Sequence, residues 1–305
     1  MTQRKLLFVS SYTGLGGGES AMLNLFGALD GERYRLHLLT PGDGRYPRGA
    51  RARGVITHAL PYRGASVYFV PALWARRRCV GRMAHLMAHE GIELVHSDYH
   101  SLPYALASAG HAGVPVMWNC MGWWFRPKPW QRAFFRRLGR EGRIVAISHA
   151  VKDGFLGTPA ALPPELVEVL WLGVDVERFH PGLAGTLGVA LRGELGIPAE
   201  APVVGTLARF QHVKGYETFF QAARLTARVR PETRFIVAGE NMDGPPADRR
   251  YRRRMLQLVQ GDPLLARSVV FAGYREHAGE VIAASDVMVC ASRFESFGMV
   301  HIESM

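Results

Sequence analysis

The 305-residue sequence has few cysteines and no long apolar run. Its three cysteines, Cys79, Cys120 and Cys290, are widely spaced, which argues against a disulfide framework or a paired-cysteine zinc site. No stretch approaches the roughly 20 apolar residues that a membrane span requires. The apolar run that follows Lys5 is also too short for the core of a signal peptide. These absences predict a globular protein in the reducing environment of the cytoplasm.

The composition is that of a globular chain with a strong excess of positive charge. Hydrophobic residues make up 48% and charged residues 21%, and the formal net charge is +11. A basic balance is consistent with an anionic substrate, an anionic membrane surface or nucleic acid, as well as with an ordinary basic surface. Composition alone leaves these alternatives open.

Short apolar runs alternate with amphipathic stretches along the chain, which predicts parallel βαβ units and an α/β fold with two tandem Rossmann-like, doubly wound domains. The alternation of strand-like and helical stretches is interrupted by a Gly- and Pro-rich segment. We therefore predict a first domain over 1–175, a linker over 176–202 and a second domain over 203–305. The predicted strands are Lys5–Ser10, Tyr34–Thr40, Leu94–Ser97, Val114–Asn119, Ile144–Ser148, Val203–Leu207, Phe235–Ala238, Val269–Ala272 and Val287–Cys290. The predicted helices are Glu19–Leu29, Tyr68–His89, Ser101–Ala109, Gly215–Val229, Arg249–Val259, Ala278–Ala284 and one that begins near Phe297.

A glycine-rich segment, Gly14 to Glu19, follows the first predicted strand and opens a helix. Backbone N–H groups at Gly17 and Gly18 could approach an anion there, aided by the partial positive charge of the helix start. The segment is neither G-x-G-x-x-G nor a P-loop, because Glu19 takes the third glycine's place and no Gly-Lys-Ser/Thr follows. A tight turn without a ligand is the alternative.

Two basic residues bracket the loop after the first strand of the second domain. Arg209 offers a planar fork of donors and Lys214 a point charge, a combination that suits a diphosphate. The alternative is an exposed pair of solvated surface charges.

Two carboxylates flank the start of the last predicted helix. Glu295 precedes it and Glu303 lies inside it, while the free amides of Phe297, Gly298 and Met299 could hold a phosphate. The carboxylates could accept hydrogen bonds from sugar hydroxyls, or Glu303 could lie on a solvated helix face.

In this order, these motifs resemble the retaining glycosyltransferases of family 4, which have the GT-B fold. The resemblance rests on the following segments: the glycine loop with Glu19, Gly173-Val174-Asp175 followed by Phe179 and Pro181, Arg209 with Lys214-Gly215, Val270-Phe271-Ala272-Gly273, and Glu295-Ser-Phe-Gly with Glu303. It implies that the chain transfers a sugar from a nucleoside-diphosphate sugar to a glycan, lipid-linked or small-molecule hydroxyl acceptor, with retention of anomeric configuration.

The resemblance also implies roles for the site residues. Arg209 and Lys214 would hold the donor diphosphate, Glu295 would contact the donor sugar, and Glu303 would bind the ribose. The amides of Gly17, Gly18, Phe297, Gly298 and Met299 would complete the phosphate site. No metal and no cofactor beyond the donor substrate is implied, because cationic side chains stabilise the leaving group.

The chain departs from the family pattern at three places. Met121 stands where the family often has a histidine before glycine, and a thioether cannot shuttle a proton. His96, Asp98 and His100 are candidates for that acceptor-side role, and Leu172 replaces a common asparagine. The family also continues beyond the position of Met305, so we expect the second domain to be incomplete and turnover by these residues alone to be weak.

An aromatic and basic segment, 123–130, leads into a stretch rich in arginine, 131–140. Aromatic side chains at a bilayer interface and cations against anionic lipid predict a peripheral membrane contact at the inner face of the membrane. The alternative is a connecting loop and helix that pack on the sheet.

Three other functions stay open at this point. They are a nucleotide-sugar epimerase or phosphorylase on the same fold, a nucleotide-binding relative without transfer activity, and a nucleic-acid-binding protein. The last is disfavoured because the basic residues are spread rather than striped and no RNA- or DNA-binding signature is visible.

Overall fold

The structure, a computed structural model, describes residues 3–63, 73–122, 129–240 and 246–305. The chain divides into two compact units, Met1–Gly173 and Val174–Met305. No helix in these described ranges is long and apolar enough to cross a bilayer.

The first unit is a seven-stranded parallel sheet with the strand order β3-β2-β1-β4-β5-β6-β7. Its strands are β1 Arg4–Val9, β2 Tyr34–Thr40, β3 Ile56–Ala59, β4 Leu94–Ser97, β5 Val116–Cys120, β6 Arg143–Ala146 and β7 Val167–Val169. Its helices are α1 Gly17–Ala28, α2 Arg45–Arg51, α3 Leu73–Glu90, α4 Leu102–Ala112, α5 Pro129–Glu141 and α6 His149–Leu156. The strands of this sheet are joined by helical crossovers, as in a doubly wound fold.

The second unit is a four-stranded parallel sheet with the strand order β10-β9-β8-β11. Its strands are β8 Val203–Leu207, β9 Arg234–Ala238, β10 Val269–Gly273 and β11 Val287–Met288. Its helices are α7 Leu187–Glu194, α8 Tyr216–Val229, α9 Pro246–Gln260, α10 Pro263–Ser268, α11 Ala278–Ala284 and α12 Met299–Glu303. The predicted α/β class with parallel sheets is confirmed.

Strand β9 shows why its sequence reads as a continuous apolar run. Phe235 and Val237 belong to a core cluster on one face of the sheet, with side chains from α8 and α9. Ile236 and Ala238 belong to a second cluster on the opposite face, with side chains from α7 and α11. Because successive side chains of a strand point to opposite faces, a sheet covered on both faces needs apolar residues at every position.

The prediction of a linker over 176–202 is wrong for much of its length. Helix α7 lies inside it and buries Leu191 in the core of the second unit. Gly188 packs so closely on α11 that an added Cβ would lie 2.3 Å from the carbonyl oxygen of Ala283. Gly188, one of the glycines that suggested a linker, thus allows two helices to pack closely.

Several other elements differ from the sequence-based expectation. Helix α2 and strand β3 were not predicted, because Arg45–Arg51 is polar and β3 has only four residues. The predicted start of the third helix at Tyr68 lies outside the described residues. Strand β11 ends at Met288, so Cys290 lies in the loop beyond it.

In each sheet the strand order reverses its direction at one strand, β1 in the first unit and β8 in the second. The chain leaves β1 for β2 on one side and later returns to β4 on the other; it leaves β8 for β9 and returns to β11. Ligands of open parallel sheets bind beyond the carboxyl ends of strands at such a switch point. The β8–β11 and β1–β4 switch points are therefore where a site is expected in each unit.

Candidate active site

Two loops meet at the switch point of the second unit. We call residues 208–215 the β8 loop and residues 289–298 the β11 loop. The backbone N–H of Arg293 donates to the carbonyl oxygen of Val213 at 2.8 Å, which ties the two loops together. Strand pairing alone therefore does not position the β11 loop.

Gly215 sets how closely the two loops approach each other. Its φ of +65° lies in the left-handed region, and an added Cβ would lie 2.1 Å from the carbonyl oxygen of Ala291. Both features favour glycine, since a side chain would be strained and would push the loops apart.

Lys214 and Glu295 form the central pair of the site. The ammonium Nζ of Lys214 lies 2.6 Å from Oε1 of Glu295, with the two side chains 20% and 30% exposed. Ser292 Oγ donates to the same oxygen at 2.7 Å, and the Cys290 thiol lies 3.6 Å from it. The second carboxylate oxygen, Oε2, has no recorded bond among the described residues and so remains to accept from a ligand.

The ionisation of Glu295 follows from these contacts. Burial by itself would raise the pKa of Glu295, but hydrogen bonds from Lys214 and Ser292 outweigh it and hold that pKa below its ordinary value. The carboxylate is thus ionised at neutral pH. Sequence reasoning identified Lys214 and Glu295 but missed Ser292, whose only signal was a hydroxyl three residues before the glutamate.

Arg209 lies just past the end of β8 and is exposed. Its guanidinium makes no hydrogen bond or ion pair within the described part of the chain. In contrast to Lys214, it is a cation without an internal counter-charge. An exposed, unpaired guanidinium at the carboxyl end of a strand is suited to an anionic ligand.

Helix α12 begins two residues later than predicted. Gly298 adopts a left-handed conformation, with φ of 79°, and caps a helix that starts at Met299, so the predicted start near Phe297 is wrong. Glu303 is the last residue of this short helix and is half-buried. Burial raises the pKa of Glu303, and the charge of Arg178 offsets this only in part.

In the first unit the glycine loop forms the start of α1. Gly17 and Gly18 are its first two residues, so the helix begins two residues before the predicted start at Glu19, and Oε2 of Glu19 accepts a hydrogen bond from the N–H of Gly16 at 2.9 Å. This hydrogen bond is to the residue before the helix and not to the amides of Gly17 and Gly18. Gly18 also lies against Met121, because an added Cβ would be 3.0 Å from its sulfur.

The three acceptor-side candidates differ in their contacts and burial. Asp98 is bound internally: its Oδ2 accepts from Ser10 Oγ at 2.9 Å and from the N–H of Ser11 at 2.8 Å, and its Oδ1 accepts from the N–H of Ser101 at 2.6 Å. Asp98 therefore organises the loops at the β1–β4 switch point. His100 packs edge-on against the ring of Tyr12, with ring centroids 5.5 Å apart.

His96 faces a cavity that Asp98 also lines. It is buried against Phe8, and burial lowers its pKa to about 4, so the imidazole is neutral. Together with Gly18, Asn119 and Met121 it lines a cavity of about 40 Å³ at the β1–β4 switch point. A neutral imidazole beside Met121 can both donate and accept a hydrogen bond where the thioether cannot.

Both halves of the chain match known families. Residues 15–178 match the model of Glycosyltransferase Family 4, and residues 190–305 match that of Glycosyl transferases group 1. The chain belongs to glycosyltransferase family 4.

Relatives of this family-4 chain include two actinobacterial enzymes. It is 29% identical over 167 residues to alpha-maltose-1-phosphate synthase of Mycolicibacterium smegmatis, a match that covers 53% of this chain and 41% of that protein. It is 32% identical over 142 residues to D-inositol 3-phosphate glycosyltransferase of Corynebacterium urealyticum, covering 45% of this chain and 32% of that protein. The matched regions thus span less than half the length of these relatives.

Solved structures show the same fold over the whole family-4 chain. A glycosyltransferase from Rickettsia africae has a TM-score of 0.83 at 14% identity, covering 100% of this chain and 77% of that one. The Anabaena protein HepE, solved in complex with UDP and glucose, has a TM-score of 0.75 at 20% identity, covering 99% of this chain and 78% of that one. At these identities the likeness shows the fold, which is GT-B with two Rossmann-like domains.

Two other predictions remain untested. Most of the aromatic segment, residues 123–128, lies outside the described residues, so its proposed contact with a membrane stays a prediction. Within the described ranges no group of three or more His, Cys, Asp or Glu side chains could hold a metal ion. The prediction that the reaction needs no metal is untested.

Proposed function

We propose that the chain transfers a sugar from a nucleoside-diphosphate sugar to a hydroxyl acceptor, with retention of anomeric configuration. The observation that carries this proposal is that the Lys214–Glu295 pair and the exposed Arg209 all lie in the two loops at the β8–β11 switch point. This arrangement places two cations and an ionised carboxylate at the edge where parallel sheets bind ligands. Membership of family 4 supports the reaction class.

The cations would act on the leaving group. As the bond between the anomeric carbon and the phosphate oxygen breaks, the oxygen leaves with the electron pair, and Arg209 and Lys214 stabilise the growing negative charge. Lys214 has three N–H donors, of which Glu295 takes one, so two remain for phosphate oxygens. The acceptor hydroxyl attacks the face that the leaving group vacates, and its proton passes to the leaving phosphate.

The carboxylates would bind the uncharged parts of the donor. Glu295 would accept from a sugar hydroxyl through Oε2, because Oε1 already accepts from Lys214 and Ser292. Glu303 would accept from the ribose hydroxyls, which requires it to be ionised. The backbone amides near Phe297, Gly298 and Met299, and those of Gly17 and Gly18, are proposed to contact phosphate oxygens.

The acceptor is proposed as a class: a glycan, a lipid-linked glycan or a small molecule with a free hydroxyl. His96 is the described side chain that best replaces the histidine expected at Met121, since it lines the cavity at the β1–β4 switch point. We propose that the reaction takes place in the cytoplasm, which is consistent with the three cysteines being free thiols.

Calorimetric titration with UDP, GDP and their glucose and mannose conjugates tests the donor site. We expect the wild-type chain to bind one nucleotide series, and Arg209→Ala to weaken that binding about tenfold or more because a charge-assisted contact is lost. Arg228→Ala is the matched control, because Arg228 is also an exposed arginine of the second unit and lies on α8. No binding by the wild type, or equal binding by both variants, would contradict the assignment.

A further inference from the structure

The positive charge of the protein is concentrated in one unit. Residues 1–173 contain 21 Lys and Arg against 11 Asp and Glu, whereas residues 174–305 contain 16 against 15. The first unit therefore carries a formal +10 and the second +1. A diphosphate donor bound in the second unit does not account for this excess.

Helix α5 carries a stripe of exposed arginines, so the expectation that the basic residues are spread rather than striped is wrong for this helix. Arg132, Arg136 and Arg140 are four residues apart and are all exposed. At that spacing successive side chains are about 6 Å apart along the axis and about 40° apart around it, so all three lie on one face. The opposite face is in the core, where Phe135 is 0% and Leu138 is 3% exposed.

These three guanidiniums have no counter-charge in the part of the chain that the structure describes. The arginines of α2 differ, because Arg51 and Arg48 lie 2.7 Å and 3.6 Å from oxygens of Asp43. The positive potential of α2 is thus reduced locally, whereas that of α5 is not.

Helix α3 adds basic residues on the same face of the sheet. Arg78 and Arg82 are exposed on it. From β3 to β4, β5 and β6 the strand order advances in one direction, so right-handed crossovers place α3, α4 and α5 on one face of the sheet. Glu90 and Glu141, at the C-terminal ends of α3 and α5, are the acidic residues of these three helices.

We propose that this α3–α5 face docks on a bilayer that contains anionic phospholipid. Phe135 and Leu138, the large apolar side chains of α5 whose burial is described, lie in the core and cannot insert into lipid, so the contact that we propose is electrostatic. The exposed described residues of α5 include neither an aromatic ring nor an amide that could stack on or read bases, which favours a bilayer over nucleic acid. This inference does not depend on the donor site.

Vesicle co-sedimentation tests the proposal, using phosphatidylcholine vesicles with and without phosphatidylglycerol. A cation near an anionic bilayer strengthens partitioning about fivefold, so the triple variant Arg132→Gln, Arg136→Gln and Arg140→Gln should bind on the order of 100-fold more weakly. The matched control is Arg228→Gln, Arg250→Gln and Arg253→Gln, which removes the same charge from exposed positions of the second unit. We expect the control to bind like the wild type, and circular dichroism to show both variants folded.

Salt provides a second readout, because added salt screens an electrostatic contact and should release the wild-type protein. Four results would overturn the proposal: no binding to the anionic vesicles, equal binding to phosphatidylcholine alone, binding that salt leaves unchanged, or equal losses in the stripe and control variants. Binding of a labelled RNA in place of the vesicles would assign the face to nucleic acid and would also overturn it.

Discussion

Gly215 connects the fold to the candidate site, and replacing it with alanine should disturb both. It follows Lys214 directly, and its missing side chain lets the β8 loop approach the carbonyl oxygen of Ala291 in the β11 loop. A methyl group there would push the β11 loop away. The Lys214–Glu295 contact of 2.6 Å, which bridges the same two loops, would lengthen with it.

The expected cost has two parts. An alanine held in the left-handed region costs roughly 1–2 kcal/mol in the folded state. A Cβ at 2.1 Å from an oxygen is closer than van der Waals contact by about 1 Å or more, and such overpacking costs roughly 1–3 kcal/mol. We therefore expect Gly215→Ala to lower the free energy of unfolding by about 2–5 kcal/mol.

The variant Gly196→Ala separates the cost of the left-handed conformation from the cost of the steric clash. Gly196 lies in the same unit with a φ of 64°, against 65° for Gly215, and an added Cβ there has nothing within 4 Å. The strain in the folded state and the gain from a stiffer unfolded chain are thus matched between the two variants. The difference in unfolding free energy between them, measured with urea, isolates the clash.

Nucleotide binding completes the assay. We expect Gly215→Ala to weaken UDP or GDP binding about tenfold or more, because a displaced loop loses charge-assisted contacts, and Gly196→Ala to leave it unchanged. If the two variants unfold at the same urea concentration and bind nucleotide equally, the close approach of the loops does not set the geometry of the site.

Three further predictions concern single side chains. Lys214→Met keeps the aliphatic stem but removes the ammonium, so donor turnover should fall by roughly 10²–10³, and near-normal turnover would exclude its role. Nucleotide affinity should fall as the pH drops through the raised pKa of Glu303, since only the ionised carboxylate accepts from both ribose hydroxyls. The terminal phosphate of the nucleotide also takes up a proton at about pH 6, so in titrations between about pH 7.5 and pH 5 Glu303→Gln should show a smaller fall in affinity than the wild type. The folded pKa of His96 is about 4 against an ordinary 6.5, so the folded state binds fewer protons and stability is lost as the pH falls from 6.5 towards 4. At pH 5 this loss is on the order of 2 kcal/mol, and thermal unfolding of His96→Gln should show a correspondingly smaller acid destabilisation.

Local pattern was a good guide to the regular elements. Strand β8 and helix α11 lie at the predicted residues, because each has a clear period and a turn signal at both ends. The pattern failed for α7, where glycines that serve helix packing resemble those of a linker. It also failed at α12, since a left-handed Gly298 delays the helix start by two residues, and sequence does not show φ.

The candidate site was only partly predictable. Arg209, Lys214 and Glu295 could be named from their charge and their positions after strands. The roles of Asp98 and Ser292 could not be predicted, because the sequence shows the type of a residue but not whether its side chain binds a neighbouring loop or a ligand. Their hydrogen-bond partners distinguish the two cases.

The sequence alone establishes the alternation of apolar runs and turns, because periodicity and turn chemistry are local properties. From that alternation the two parallel sheets follow. Tertiary structure alone shows that Lys214 and Glu295, 81 residues apart, share a hydrogen bond. It also shows that Ser292 donates to the same carboxylate oxygen while the other stays available. These contacts arise where β8 and β11 lie side by side in the sheet. The order of the strands depends on how helices cover the two faces of the sheet. A short window of sequence does not contain that information.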